Sequence, residues 1–100
     1  MRKIVLLCNM GLSTSALVKK MRQAAEETGY ECTVNAYPIS EAEVEAADAD
    51  VVLIGPQVSF QAAKVKKLLP NTPVEVIGMQ DYGMMNGKNV LAVAKKLIGD

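Results

Sequence analysis

The chain has 100 residues, half of them hydrophobic, with eleven basic and eleven acidic side chains and no histidine. That length suits one small domain spanning 1–100, and the apolar half of the composition excludes a disordered chain. A formal net charge of zero lacks the basic excess of a nucleic-acid binder, and no apolar run approaches the roughly twenty residues of a membrane span.

Arg2 to Leu7 carries the run Ile4-Val5-Leu6-Leu7 and reads as a strand buried on both faces, as in a parallel sheet. The same run is too short for the apolar region of a signal peptide, so a cytosolic location is expected. Ser13 to Thr28 repeats Leu17, Val18, Met21, Ala24 and Ala25 at helical spacing, and Gly29 is placed to end that helix. Its charges run against the helix dipole, with Lys19, Lys20 and Arg22 early and Glu26 and Glu27 late. They form either a solvated face or a basic shoulder on which a partner docks.

Glu31 to Tyr37 alternates in the manner of an edge strand, and Pro38 closes it. Ser40-Glu41-Ala42-Glu43 has the form of a capping box, with Ile39 and Val44 spaced as a hydrophobic staple for a short helix to about Ala47. Asp50 to Ile54 is a second fully apolar strand, ended by Gly55-Pro56. Ser59 to Leu69 reads as a helix burying Ala62, Ala63, Val65, Leu68 and Leu69, stopped by Pro70. Val74 to Ile77 is the fourth strand, Gly78 to Met85 a loop, and Asn86 to Ile98 the last helix. Its inward side is expected to carry Val90, Leu91, Val93, Ala94, Leu97 and Ile98.

This alternation predicts an α/β domain, a four-stranded parallel sheet with helices on both faces. The two most apolar strands belong in the middle, which gives the order 2-1-3-4. Ligands of such sheets sit beyond the carboxyl ends of the strands, where the chain reverses direction between strands one and three. Cys8 falls there, together with the segments Gly55–Val58 and Gly78–Met85.

After Cys8 come Asn9, Met10, Gly11, Leu12, Ser13, Thr14 and Ser15. Backbone N–H groups of such a loop, with those of the helix start, can surround a phosphoryl group. A positive environment of that kind also favours a cysteine as thiolate, its nucleophilic form. Cys8 is therefore the candidate phosphoryl acceptor, and Asn9–Ser15 the candidate phosphate cradle. Any one of the three hydroxyls either contacts phosphate or caps the helix. The lack of histidine excludes a Cys–His pair and a Ser–His–Asp triad. Cys8 and Cys32 are expected to be free thiols, Cys32 a structural one, and no metal site is expected. No cofactor is expected beyond a covalent phosphoryl group on Cys8.

Three further residues are possible accessories. Gln57 either sits in a turn or donates to phosphate or a partner. Asp81 is a solvated loop acid or a general acid. Tyr82 packs over the cysteine loop or reaches phosphate. Met10, Leu12, Val58, Met84 and Met85 are expected to form an exposed apolar rim for successive partners, flexible methionine being suited to repacking. Phe60 is expected in the core.

The loop is similar to the C-x5-R-S motif of low-molecular-weight tyrosine phosphatases, whose fold the predicted sheet also resembles. The sixth position after Cys8 is Thr14, however, so the arginine that would hold a phosphoryl group in two places is missing. That departure favours a relay of the group over its hydrolysis. Three segments, K-I-V-L-L-C-N-M-G-L-S-T-S, A-D-V-V-L-I-G-P-Q and L-L-P-N-T-P-V-E-V-I, resemble the enzyme IIB components of the lactose/cellobiose/chitobiose phosphotransferase family. The resemblance implies that Cys8 takes a phosphoryl group from a phosphohistidine on a IIA protein and passes it to a disaccharide held by a membrane IIC protein. It also implies a cytoplasmic subunit, peripheral to the membrane through IIC; the small size and zero net charge fit a monomer. The alternatives are a free-standing phosphatase or arsenate-reductase-like enzyme, and a flavodoxin-like regulatory module without cysteine chemistry.

Overall fold

The structure, a computed structural model, describes residues 1–9 and 14–100 together with the helical backbone of residues 11–13. Four strands, β1 (Arg2–Cys8), β2 (Cys32–Pro38), β3 (Val51–Ile54) and β4 (Val74–Val76), form one sheet in the order β2-β1-β3-β4. All three pairings are parallel. The expected order and class are thus observed, with the two most apolar strands central. Ile4, Val5, Leu6 and Leu7 are each 0% exposed, and a buried aliphatic side chain of this size contributes roughly 2 kcal/mol.

The pleat sends alternate residues of β1 to opposite layers. Ile4 and Leu6 pack with Leu17, Met21, Val90 and Leu91 of the helices α1 (Gly11–Thr28) and α5 (Gly87–Ile98). Val5 and Leu7 pack with Ala42, Ala46, Val65 and Leu69, on or beside α2 (Ala42–Glu45) and α3 (Ala62–Leu68). A fifth helix, α4 (Met79–Gly83), occupies the segment expected as a loop after β4. Gly29 ends α1 at φ +69°, with Tyr30 N donating to Ala25 O and Gly29 N to Glu26 O. Those two bonds are a Schellman motif, which only a left-handed residue completes without strain.

Several local expectations are overturned. The capping box does not form: the chain enters a 3₁₀ turn, Ile39–Glu41, directly from Pro38, and neither that turn nor α2 has a side-chain cap. The staple is absent too, because Val44 is 77% exposed. Ala42 and Ala46 form the inward face of this single turn, and Val44 lies two residues from each, about 200° round the helix.

The helix expected over Ser59–Leu69 is 3₁₀ from Pro56 to Gln61 and α-helical only from Ala62. Val58, Val65 and Leu69 are buried, whereas Phe60, Ala63 and Leu68 are exposed. Phe60 was the expected core aromatic, yet it lies two residues beyond the buried Val58 and two before the half-buried Ala62, and so points to solvent. In α5, Val93 is likewise partly exposed rather than inward. Asn86 precedes α5 as its cap, accepting from Asn89 N at 3.1 Å.

Candidate functional site

Cys8 is the last residue of β1, and its neighbours come from both adjoining strands. On one side it stands in register with Pro38 of β2, and its Sγ lies 3.9 Å from Tyr37 O, to which the thiol donates weakly. On the other side, Gly55 follows β3 and donates from its N–H to Leu7 O at 2.9 Å. A Cβ on Gly55 would lie 3.8 Å from Cys8 Cβ, 3.6 Å from Leu7 O and 3.0 Å from Gln57 Oε1. Gln57, exposed, thus folds back with its Oε1 beside Gly55 at the end of β3. Pro56 then starts the 3₁₀ turn, where its lack of an N–H is harmless.

Only Asn9 and Met10 separate β1 from α1, so the 18-residue helix begins beside the cysteine. Its first-turn N–H groups and dipole are directed to that end of the sheet. Cys8 is 2% exposed. Met10, and of residues 11–13 everything but the helical backbone, lie outside the described residues, as do the expectations placed on them as cradle and rim. Of the remaining cradle candidates, Asn9 is exposed, Ser15 is exposed on α1, and Thr14 is 0% exposed.

Thr14 is tied by its side chain to a residue distant in sequence. Its Oγ1 is 3.0 Å from the Tyr82 hydroxyl, and the pair is buried. Tyr82 is 7% exposed and belongs to the core layer under α1 and α5. It therefore packs against the first turns of the cysteine helix at Thr14, while the loop it was expected to cover or reach past lies outside the described residues. Asp81 is turned elsewhere: its Oδ2 accepts from Asn89 Nδ2 at 2.6 Å, and its carbonyl oxygen accepts from Asn86 N at 2.9 Å. It is a half-buried acid tying α4 to α5, neither a freely solvated group nor one directed at Cys8.

The expected apolar rim changes membership. Val58 is buried and Met85 is half-buried against the α1/α5 core, which removes the first and most of the second from any docking surface. Met84 is exposed as expected, and with it are Phe60 and Met79, each 79% exposed. These lie on the exit segments of β3 and β4. Met79 carried no signal of its own in the sequence, because an isolated methionine after a strand is equally at home in core or rim.

Arg22, one of the basic residues early in α1, reaches away from the loop. Its Nε and Nη2 donate to Val34 O at 2.9 and 2.5 Å, and Nη2 also donates to Asn35 Oδ1 at 2.8 Å. Cys32 is half-buried on the same edge strand, and burial pushes its thiol pKa up, as suits a structural cysteine. Among the described residues, no three His, Cys, Asp or Glu side chains gather closely enough to hold a metal ion, and no helix is long and apolar enough to cross a membrane.

Comparison with known proteins covers almost the whole chain. A family described as the lactose/cellobiose-specific IIB subunit of the PTS system matches residues 3–93. The galactose-specific EIIB component of Lactococcus lactis subsp. cremoris is 42% identical, over 95% of this chain and 94% of its own. The oligo-beta-mannoside-specific EIIB component of Bacillus subtilis is also 42% identical, over 98% of this chain and 97% of its own. Among solved structures, a cellobiose-specific phosphotransferase IIB component from Borrelia burgdorferi superposes with a TM-score of 0.83 at 31% identity, covering 98% of this chain and 92% of that one. The lactose-specific IIB domain from Streptococcus pneumoniae gives 0.85 at 14% identity, covering 96% of each, which is a likeness of fold alone. With its sheet order, its cysteine at the crossover and these matches in agreement, the chain belongs to the lactose/cellobiose-specific IIB subunit family of the phosphotransferase system.

Proposed function

We propose that this protein is the phosphoryl-carrying subunit of a sugar-specific phosphotransferase system, with Cys8 as the carrier. The observation that supports this most directly is the position of Cys8, which closes β1 at the β1/β3 crossover and leads within two residues into the N-terminus of an 18-residue helix. A doubly charged phosphoryl group on sulfur is favoured there by the dipole and by unpaired N–H groups.

In the first half-reaction the Cys8 thiolate attacks, in line, the phosphorus of a phosphohistidine on a IIA protein. The S–P bond forms, the P–N bond breaks, and its electron pair stays on the imidazole nitrogen. The imidazole must be the partner's, because this chain has no histidine. In the second, a hydroxyl of a sugar held by a membrane IIC protein attacks the same phosphorus. The O–P bond forms, the S–P bond breaks to regenerate the thiolate, and the hydroxyl proton leaves to a base beside the sugar. Backbone amides of residues 9–15 hold the equatorial oxygens in both steps. No cofactor takes part. Since Cys8 is nearly buried, docking has to uncover its sulfur before transfer.

Thr14 in place of arginine leaves hydrolysis poorly catalysed, which suits a group that must survive until its acceptor arrives. The relatives are named for galactose, oligo-beta-mannosides and cellobiose. We assign this chain a disaccharide of the cellobiose, chitobiose or lactose class. Its place is at the cytoplasmic face, against IIC, as a monomer.

Incubation with phosphoenolpyruvate, the general phosphotransferase proteins and a matching IIA protein, followed by mass spectrometry, tests the assignment. The expected result is one phosphoryl adduct on Cys8, absent from a folded Cys8→Ser variant. An adduct that persists in Cys8→Ser, or none in the wild type beside fully phosphorylated IIA, would overturn it. Turnover of an aryl phosphate by the protein alone would point instead to a phosphatase.

A further inference from the structure

We infer that Tyr82 is a positioning residue for the phosphate cradle, acting through the hydroxyl of Thr14; this rests on Cys8 being the phosphoryl carrier. A buried hydroxyl must find a hydrogen-bond partner. A threonine inside a helix usually finds it in its own preceding turn, but the 0%-exposed Thr14 is bonded at 3.0 Å to a phenol on the far side of the chain. Thr14 also stands six residues after Cys8, where the related phosphatase motif has its arginine. The side chain at that position thus bonds to the protein itself rather than presenting a cation.

Tyr82 is held stiffly enough to act as a reference point. Its own N–H donates to Gly78 O at 3.0 Å, and its carbonyl accepts from Met85 N at 3.2 Å. Asp81 beside it is locked to α5 through both its carboxylate and its carbonyl. Met85 takes φ +53°, which a non-glycine residue adopts only where its surroundings hold it. The β4–α5 connection therefore forms a rigid seat, and the phenol transmits that rigidity to the first turn of α1. Within that turn, the direction of the backbone N–H groups decides how well they meet the equatorial oxygens of the transferring group. An error of about 1 Å in such a placement lowers a rate by orders of magnitude.

The test is the single-turnover rate of phosphoryl transfer from phosphorylated IIA to Cys8, with the donor saturating and at a temperature well below unfolding. Tyr82→Phe should lower that rate roughly tenfold while leaving the donor concentration for half-maximal rate within about twofold. Thr14→Val should do the same. The double variant should be no slower than either single one, because both remove one link. Thr14→Ser, which keeps the hydroxyl, should restore most of the rate. A pair with a merely structural role would lower the melting temperature but leave rate and rescue pattern unchanged, and that result overturns the inference. If Tyr82→Phe does not fold, Thr14→Val and Thr14→Ser decide the matter alone. A wild type that acquires no phosphoryl group refutes the carrier assignment itself, whereas labelled wild type with an equally fast Tyr82→Phe refutes only the role of Tyr82.

Discussion

Arg22 shows how far a residue's task can lie from the pattern that predicts its element. Arg2 N donates to Glu31 O, so by the alternation of a parallel ladder the backbone groups of residues 31, 33, 35 and 37 face β1. Those of Cys32, Val34 and Ala36 face outward along the open edge. An exposed edge invites pairing with another chain, and Arg22 occupies its middle acceptor with a two-pronged contact to Val34 O. Arg22→Met keeps the aliphatic stem but removes both donors. It should lower stability in urea by about 1 kcal/mol and increase concentration-dependent association seen by light scattering. A variant equal to wild type in both would show the contact to be incidental. In the sequence Arg22 read only as an early positive charge on α1, because helical periodicity assigns a face and not the reach of a long side chain. The placement of Cys8 and Gly55 at neighbouring strand ends was legible for the opposite reason, because local patterns mark where strands stop.

Between elements, α1 and α5 approach closely at Gly87. A Cβ on Gly87 would meet Lys20 C and Cβ at 2.5 Å and Met21 N at 2.6 Å, and backbone atoms cannot move aside as a flexible side chain would. Gly87→Ala should therefore push the helices apart and destabilise the protein by about 2–3 kcal/mol, in the range of overpacked cores. Urea unfolding would read this as a lower midpoint with unchanged slope, and a wild-type midpoint would mean that the helices separate at no expense. Asn86-Gly87 was visible as a helix start, but a glycine needed by a distant helix leaves no local trace. The failed capping box has the same lesson in reverse. Ser40-Glu41-Ala42-Glu43 carries the right residues, yet Pro38 sends the chain straight into a 3₁₀ turn, and the small faces of Ala42 and Ala46 fit the sheet better than Val44 does.

At the scale of the whole molecule, the sheet order was legible because only β1 and β3 are apolar enough for burial on both faces. What the pattern does not reveal is how the end of the sheet opposite Cys8 is closed. There Asp100 receives two bonds of 2.9 Å from the Arg2 guanidinium and one of 2.6 Å from the Tyr30 hydroxyl, while Lys95 Nζ lies 4.7 Å from the centre of the Tyr30 ring. Burial, then the bond to Asp100, raises the Tyr30 pKa to about 12. The folded state therefore holds this proton more tightly than the unfolded chain, whose tyrosines titrate near 10. The resulting stabilisation is complete below pH 10 and lost as pH rises from 10 through 12. Asp100 has the opposite sign, for its hydrogen bond from Arg2, followed by that from Tyr30, holds its pKa below the usual carboxylate value. Its contribution is present above the unfolded value of about 3.9 and fades as pH falls below it. The melting-temperature gap between wild type and Tyr30→Phe should accordingly close between pH 10 and 12, and that between wild type and Asp100→Asn below about pH 4. Gaps that stay constant across those windows would show that neither proton is linked to folding. The seven residues of β1 hold this cluster about 20 Å from Cys8, so both variants should accept a phosphoryl group at the wild-type rate at neutral pH. Stability at the extremes of pH and transfer at the cysteine are then separable properties, set at opposite ends of the same strand.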